Sequence, residues 1–138
     1  MEIAALVTWV ITALGGFYML AGWLSRGGAK QGSGSRLPVP VIFGHFALAA
    51  IGLVVWVAYL IIDSHALAWT ALILLVPVAA LGFAMLARWI PTRRVRATVP
   101  AGQQSAPAES NFPVPVVVAH GVLAVVTVVL VLLTAIVG

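Results

Sequence analysis

Four long apolar stretches constrain the fold of this chain more than any other feature. They cover about residues 3–24, 39–62, 66–90 and 113–137. A helix that crosses a bilayer needs about 20 mostly apolar residues, and each stretch meets that requirement. Since 63% of the residues are hydrophobic and 7% are charged, little remains outside these stretches except connections. The sequence therefore predicts an all-α integral membrane protein, a single transmembrane domain over 1–138 built as a four-helix bundle.

Two strings of residues occur twice. Residues 38–45 read Pro-Val-Pro-Val-Ile-Phe-Gly-His and residues 113–120 read Pro-Val-Pro-Val-Val-Val-Ala-His. Residues 16–23 likewise match residues 82–89 at six of eight positions. The pattern predicts a tandem duplication of a two-helix hairpin, with repeat 1 at about 3–62 and repeat 2 at about 66–137. Because each copy has two spans, both copies insert in the same orientation and the repeats are parallel.

The positive charges predict the orientation in the membrane. All seven Lys and Arg residues lie at the end of helix 3 or in two inner loops, at about 25–37 and 91–112, which have the composition of flexible linkers. The opposite side carries only Glu2, Asp63 and a solvated His65. Since Lys and Arg remain cytoplasmic, both termini are expected outside and the basic loops inside. The net charge of +4 thus describes a membrane face, and no nucleic-acid partner is predicted.

Two further expectations concern the surroundings of the chain. The preference for Ala, Val, Gly and Arg over Ile and Lys indicates a GC-rich bacterial genome. The bacterial cytoplasmic (inner) membrane is then the expected location, and the lipid bilayer is the expected surrounding.

One histidine stands at the same point of each repeat. His45 and His120 each lie seven residues after the leading proline, about 10 Å along a helix, so both are expected at the same depth. An ionisable residue within a span is treated as a functional site by default, although a neutral imidazole can also hydrogen-bond structurally between helices. Small residues continue the same helix faces and predict a slot for a flat cofactor, namely Ala49, Gly52, Ala124 and Thr127. The same small residues also permit tight helix packing without a ligand.

The leading hypothesis is a small b-type haem protein for electron transfer. His45 and His120 would be the axial ligands of one haem between helices 2 and 4. Arg36, Arg88 and Arg93 would be the propionate partners. The chain has no cysteine, which excludes covalent c-type attachment. The broad pattern is similar to small membrane b-type cytochromes of the two-histidine kind, and a quinone or another membrane protein would be the redox partner.

Two alternatives stay open. The first is a cofactor-free accessory or scaffold subunit of a larger membrane complex, in which the histidines only bond across the bundle. The second is a copper or other metal site, in which Met19 and Met85 join the histidines, since thioethers and imidazoles suit Cu(I). No Ser-His-Asp arrangement or carboxylate pair indicates hydrolytic catalysis, and the sequence predicts no catalytic residue.

Overall fold

The computed structural model describes residues 1–98 and 106–137. Over these residues the chain forms four α-helices and one short 3₁₀ helix, namely α1 Glu2–Ser25, α2 Val39–Ile62, α3 His65–Thr98, the 3₁₀ helix Ala108–Asn111 and α4 Val114–Val137. Each α-helix is long and apolar enough to cross a membrane, with a mean hydropathy between 1.9 and 2.9. The chain is therefore a multi-pass membrane protein, and its described part contains no β-strand.

The helices pack as a ring in the order α1, α2, α3, α4. The two largest interfaces join α2 to α3 and α1 to α4, the α3–α4 interface is smaller, and the α1–α2 interface is smaller still. Within the described residues the backbones of α2 and α4 do not approach each other, because these helices lie diagonally across the bundle. Side chains that project inwards from α2 and α4 therefore meet at the centre.

The two ends of the bundle differ. One end, here called the terminal end, carries both termini and the turn at Asp63 and Ser64. The other end, the loop end, carries the two longer connections. Asp63 has a left-handed backbone conformation with a φ of 54°, which an Asp tolerates better than most residues. This conformation ends α2 and lets α3 begin two residues later, so the two helices pack as antiparallel neighbours.

Two apolar clusters hold the helices together at different levels. The cluster nearer the terminal end contains aromatic and small residues, including Trp9, Trp56, Tyr59, Ala71, Leu75 and Val131. The cluster at the loop end consists of Trp23, Leu37, Ile42 and Ala108, with Leu20, Met85 and Phe112 packed against it. Many large apolar side chains elsewhere are exposed, as expected for helix faces that contact lipid. Between the two clusters lies a middle level, which contains the two intramembrane histidines.

Helix α3 is longer than the sequence predicts. The sequence predicts an end near residue 90, where the apolar stretch gives way to a segment with the composition of a linker. The helix instead continues to Thr98, and the 3₁₀ helix Ala108–Asn111 folds against it. The Trp89 indole donates to the Glu109 carbonyl at 2.9 Å, and the Arg96 guanidinium donates to the Asn111 side chain. These contacts hold the last turns in place, so much of the connection predicted as a linker has regular structure.

Candidate functional site

The structure brings His45 and His120 together at the centre of the bundle. Their ring centroids are 6.2 Å apart, and the ring planes are inclined by 51°. Both side chains are half-buried. Since α2 and α4 lie diagonally across the bundle, the two imidazoles meet at the middle level, between the two apolar clusters.

Each imidazole forms one hydrogen bond to a backbone carbonyl of another helix. His45 Nδ1 lies 2.9 Å from the Val78 oxygen in α3, and His120 Nδ1 lies 2.9 Å from the Thr12 oxygen in α1. A carbonyl oxygen only accepts, so Nδ1 carries the hydrogen in both rings. In the neutral imidazole Nε2 then has a free lone pair. Both histidines are thereby fixed in the tautomer that ligates a metal through Nε2.

A glycine lies beside each histidine ring. A Cβ atom added at Gly16 would lie 3.2 Å from His120 Cε1, and one added at Gly82 would lie 3.3 Å from His45 Cε1. Each glycine follows its carbonyl acceptor by four residues, and a helical side chain covers the turn that precedes its own Cα. Gly16 and Gly82 therefore leave the Thr12 and Val78 carbonyls accessible to imidazoles.

The two histidine environments are related by the offsets of the sequence repeat. Thr12 and Val78 are 66 positions apart, as are Gly16 and Gly82, and the histidines are 75 positions apart. These are the offsets at which the two copies of each sequence string align. Each histidine thus bonds to the first helix of the opposite hairpin at the same relative position.

The separation of the two imidazole rings can be compared with that of two imidazoles bound to one metal ion. With metal–nitrogen bonds of about 2 Å and a ring radius of roughly 1 Å, two imidazoles on opposite sides of one metal ion have centroids about 6 Å apart. The observed separation of 6.2 Å meets this requirement. Among the described residues no group of three His, Cys, Asp or Glu side chains is placed to hold a metal ion. The two imidazoles are therefore a pair without a third ligand of these four types in the described part of the chain.

The four predicted slot residues have different surroundings. Trp9 packs on Gly52, where an added Cβ would lie 3.0 Å from the indole ring. Thr127 is buried, and its hydroxyl lies 2.9 Å from the Thr8 hydroxyl of α1. Ala49 and Ala124 are half-buried and lie one turn closer to the histidines. The space two turns beyond the histidines is therefore filled from α1, and the free space lies at the level of the rings.

One such space opens beside His120. It is a cavity of about 380 Å³ between α1 and α4, lined by His120, Gly15 and apolar side chains, and it opens on the exposed helix faces at Ile11 and Leu14. A Cβ atom added at Gly15 would lie 3.7 Å from His120 Nδ1, an ordinary contact distance. The corresponding position of the other hairpin is Leu81, whose side chain packs on Gly44.

The three predicted propionate partners are exposed at the loop end. Arg88 donates to the Arg36 carbonyl at 3.3 Å, which places these two residues together. The Arg93 guanidinium lies 5.8 Å from the centre of the Trp89 ring. Of the two methionines, Met85 packs against the loop-end cluster and Met19 is half-buried.

Sequence reasoning missed a buried carboxylate at the loop end. Glu109 is fully buried, and its oxygens accept from the Ser35 hydroxyl at 2.9 Å and from the Arg36 N–H at 2.6 Å. The Trp23 indole donates to the same Ser35 hydroxyl at 3.1 Å. Glu109 therefore ties the second connection to the first. A signal was present, since Glu109 is the sole acidic residue in either connection.

The third histidine also has a partner. His65, expected to be only solvated, is exposed but lies 2.7 Å through Nε2 from the Ala135 carbonyl near the end of α4. The last carbonyls of a helix have no partner within the helix, so this bond satisfies one of them. His65 lies outside the bundle centre and is a natural control for the other two histidines.

Comparison with known proteins adds no functional information. The chain matches no family model, no curated protein and no solved structure at a significant level. The chemistry of the histidine pair is therefore the observation on which a functional proposal can rest.

Proposed function

We propose that this chain is a small membrane haem protein that transfers electrons. One b-type haem is held between α2 and α4, with His45 and His120 as its axial ligands. The observation that carries this proposal is the geometry of the pair, with a centroid separation of 6.2 Å and both Nδ1 atoms bonded to carbonyls.

The carbonyl bonds support ligation as well as position. A histidine that binds a metal usually donates its second N–H to a carbonyl or carboxylate, which orients the ring and increases its basicity. Two such imidazoles fill both axial positions of a haem, so oxygen has no open site on the iron. That arrangement favours electron transfer. One haem at this depth does not connect both membrane surfaces, so a quinone or another membrane protein must complete the electron path.

The first helix of each hairpin carries a glycine at the level of the histidine rings. Gly16 on α1 and Gly82 on α3 have no side chain there, which lets the histidine rings lie against these helices. Arg36 and Arg88, which lie together at the loop end, remain candidates for the propionates.

A second candidate is a cofactor-free accessory subunit, and one observation favours it. The bonds from His45 to Val78 and from His120 to Thr12 each join two helices, so the histidines already have a structural role. The copper alternative has less support, because Met85 packs against the loop-end cluster.

We further infer a tandem, parallel duplication and an insertion with the loop end in the cytoplasm of a bacterial cell. The duplication is supported by the offsets of the carbonyls and glycines, 66 positions, and of the histidines, 75 positions, which are those of the two repeated strings. The orientation is supported by the position of all seven Lys and Arg residues at the loop end. Because the chain has no cysteine, single cysteines report the orientation directly. Ala66→Cys should react with an impermeant maleimide on intact cells, whereas Gln31→Cys should react only after lysis, and the reverse pattern would refute the orientation.

The haem proposal is tested by absorption spectra of the purified protein, oxidised and dithionite-reduced, after expression with added haem precursor. The wild type should show the sharp reduced α-band of six-coordinate b haem. His45→Ala and His120→Ala should each lose or shift that band, and His65→Ala should keep it. Added imidazole should restore part of the band in the two alanine variants, because it can replace the missing ligand.

The outcomes separate the two candidates. A colourless wild type that elutes as a folded protein in detergent would refute the haem proposal and favour the accessory subunit. A band that survives both alanine substitutions would place the haem elsewhere. Melting temperatures of the three variants show whether lost colour reflects lost ligation or lost folding.

A further inference from the structure

A basic cavity lies at the loop end, apart from the histidine pair. It has a volume of about 420 Å³ and lies where the ends of α1 and α3 meet the start of α4. Three arginines line it, together with two polar residues of the 3₁₀ helix and three apolar residues: Arg26, Arg93, Arg96, Ser110, Asn111, Ala97, Phe112 and Val114.

The positive charge of this cavity is not neutralised within the described residues. Arg26 donates to the Gly22 carbonyl at 2.8 Å, and Arg96 donates to the uncharged Asn111 side chain. Arg93 stacks near Trp89. Glu109 uses its two oxygens on the Ser35 hydroxyl and the Arg36 N–H. Three arginines therefore line one cavity, and none of these contacts brings a carboxylate to it.

Helix α4 adds a second source of positive potential. Its first residue, Val114, lines the cavity. The first N–H groups of a helix have no partner within the helix, and the helix dipole makes this end positive. Pro115 has no N–H, and the N–H groups of Val116 and Val117 bond to the Pro113 carbonyl. The helix end therefore adds to the arginines through its dipole and not through a set of free N–H groups.

We propose that this cavity binds the phosphate of an anionic phospholipid head group. The cavity lies at the ends of three membrane-spanning helices, the level at which lipid phosphates are found. Arg26 and Arg96 supply donors that match phosphate oxygens, and arginine is the residue best suited to that geometry. Phe112, Val114 and Ala97 offer an apolar wall for the glycerol and first acyl carbons. Free phosphate would use the arginines but gain nothing from that wall.

The test is native mass spectrometry of the detergent-purified full chain with phosphatidylglycerol, phosphatidylcholine or inorganic phosphate added. The wild type should retain phosphatidylglycerol at least about tenfold over phosphatidylcholine. Arg26→Gln with Arg96→Gln should remove that preference. Lys30→Gln with Arg94→Gln removes the same charge from exposed residues outside the cavity lining, and it should keep the preference.

The remaining outcomes are decisive. An equal loss in the control pair would overturn the proposal, because the attraction would then be a diffuse surface effect. Displacement of phosphatidylglycerol by equimolar inorganic phosphate would also overturn it, because the site would be selective for the free anion. If the glutamine pair unfolds, Arg26→Lys with Arg96→Lys keeps the charge but loses the paired donors. This pair should weaken the preference about threefold, and an unchanged preference would refute a phosphate-specific site.

Discussion

The two histidines of this bundle are held in the same way, each by the other hairpin, but their surroundings differ. His45 and His120 each bond to a carbonyl at 2.9 Å, and each ring passes a glycine one turn beyond that carbonyl. One residue before the glycine, the hairpins diverge. Gly15 leaves a cavity of about 380 Å³ beside His120, whereas the equivalent Leu81 packs on Gly44 in the His45 half.

This difference distinguishes two features of each site, namely the hydrogen bond to the histidine ring and the space beside that ring. The hydrogen bond needs only a backbone carbonyl and a glycine one turn beyond it. The side chain of the acceptor residue can therefore differ, and it is threonine at position 12 and valine at position 78. The space beside the ring depends on side-chain volume, which has changed at Gly15 and Leu81. Substitutions at Gly16 and Gly82 should therefore have equal effects on stability, whereas substitutions at Gly15 and Leu81 should have different effects.

The largest effect is expected at the glycines that uncover the carbonyls. Gly16→Val and Gly82→Val should each lower the free energy of unfolding by about 1–3 kcal/mol, because the added side chain must displace a histidine ring. Gly121→Val is the control, since a Cβ there meets nothing within 4 Å. Thermal unfolding in detergent gives the comparison. A difference of more than about 2 kcal/mol between the two halves would contradict their equivalence.

A smaller effect is expected where the halves differ. Leu81→Ala should destabilise the bundle by about 1–2 kcal/mol, below the usual cost for a core leucine because Leu81 is only half-buried. The substitution should also open space beside His45 and make that half resemble the other. The matched measurement is Leu48→Ala, a half-buried leucine one turn from His45 on α2. A neutral result for Leu81→Ala would mean that this side chain does not fill the site.

The smallest effect is expected at Gly15. Gly15→Ala should raise the free energy of unfolding by about 0.5–1 kcal/mol, because alanine favours helix and the new Cβ makes ordinary contacts at 3.7–4.0 Å. Gly16→Ala, one residue later, gains the same helix propensity but places its Cβ at 3.2 Å from the ring. The measurement therefore asks whether Gly15→Ala has a higher free energy of unfolding than Gly16→Ala. Equal stabilisation by both would show that the ring has room to move.

The fold was largely predictable because its determinants are local. The predicted span 39–62 coincides with α2, and the other spans begin within one residue of the helices found. The exception is the end of α3, which is predicted near residue 90 and lies at Thr98. The helix continues because Trp89 and Arg96 bond to the 3₁₀ helix, and no local pattern around Pro91 carries that information.

The candidate site was predictable only in outline. Repeat spacing indicated that His45 and His120 lie at one depth, but it did not indicate which carbonyls they bond. The sequence predicts that Gly52 and Thr127 line a slot, whereas in the structure Trp9 and Thr8 of α1 contact them. These contacts depend on the rotation of α1 against its neighbours, which apolar periodicity defines poorly when a helix is hydrophobic on most sides.

By itself, the sequence determined the four helices, the membrane environment and the level of the histidines. Each of these follows from composition within about 20 residues or from the distance to a nearby proline. Tertiary structure alone decided the histidine acceptors, which lie 33 and 108 positions away, and the burial of Glu109, whose Ser35 partner is 74 positions distant. Such partners are chosen by how the helices pack, and packing is set by the whole bundle at once.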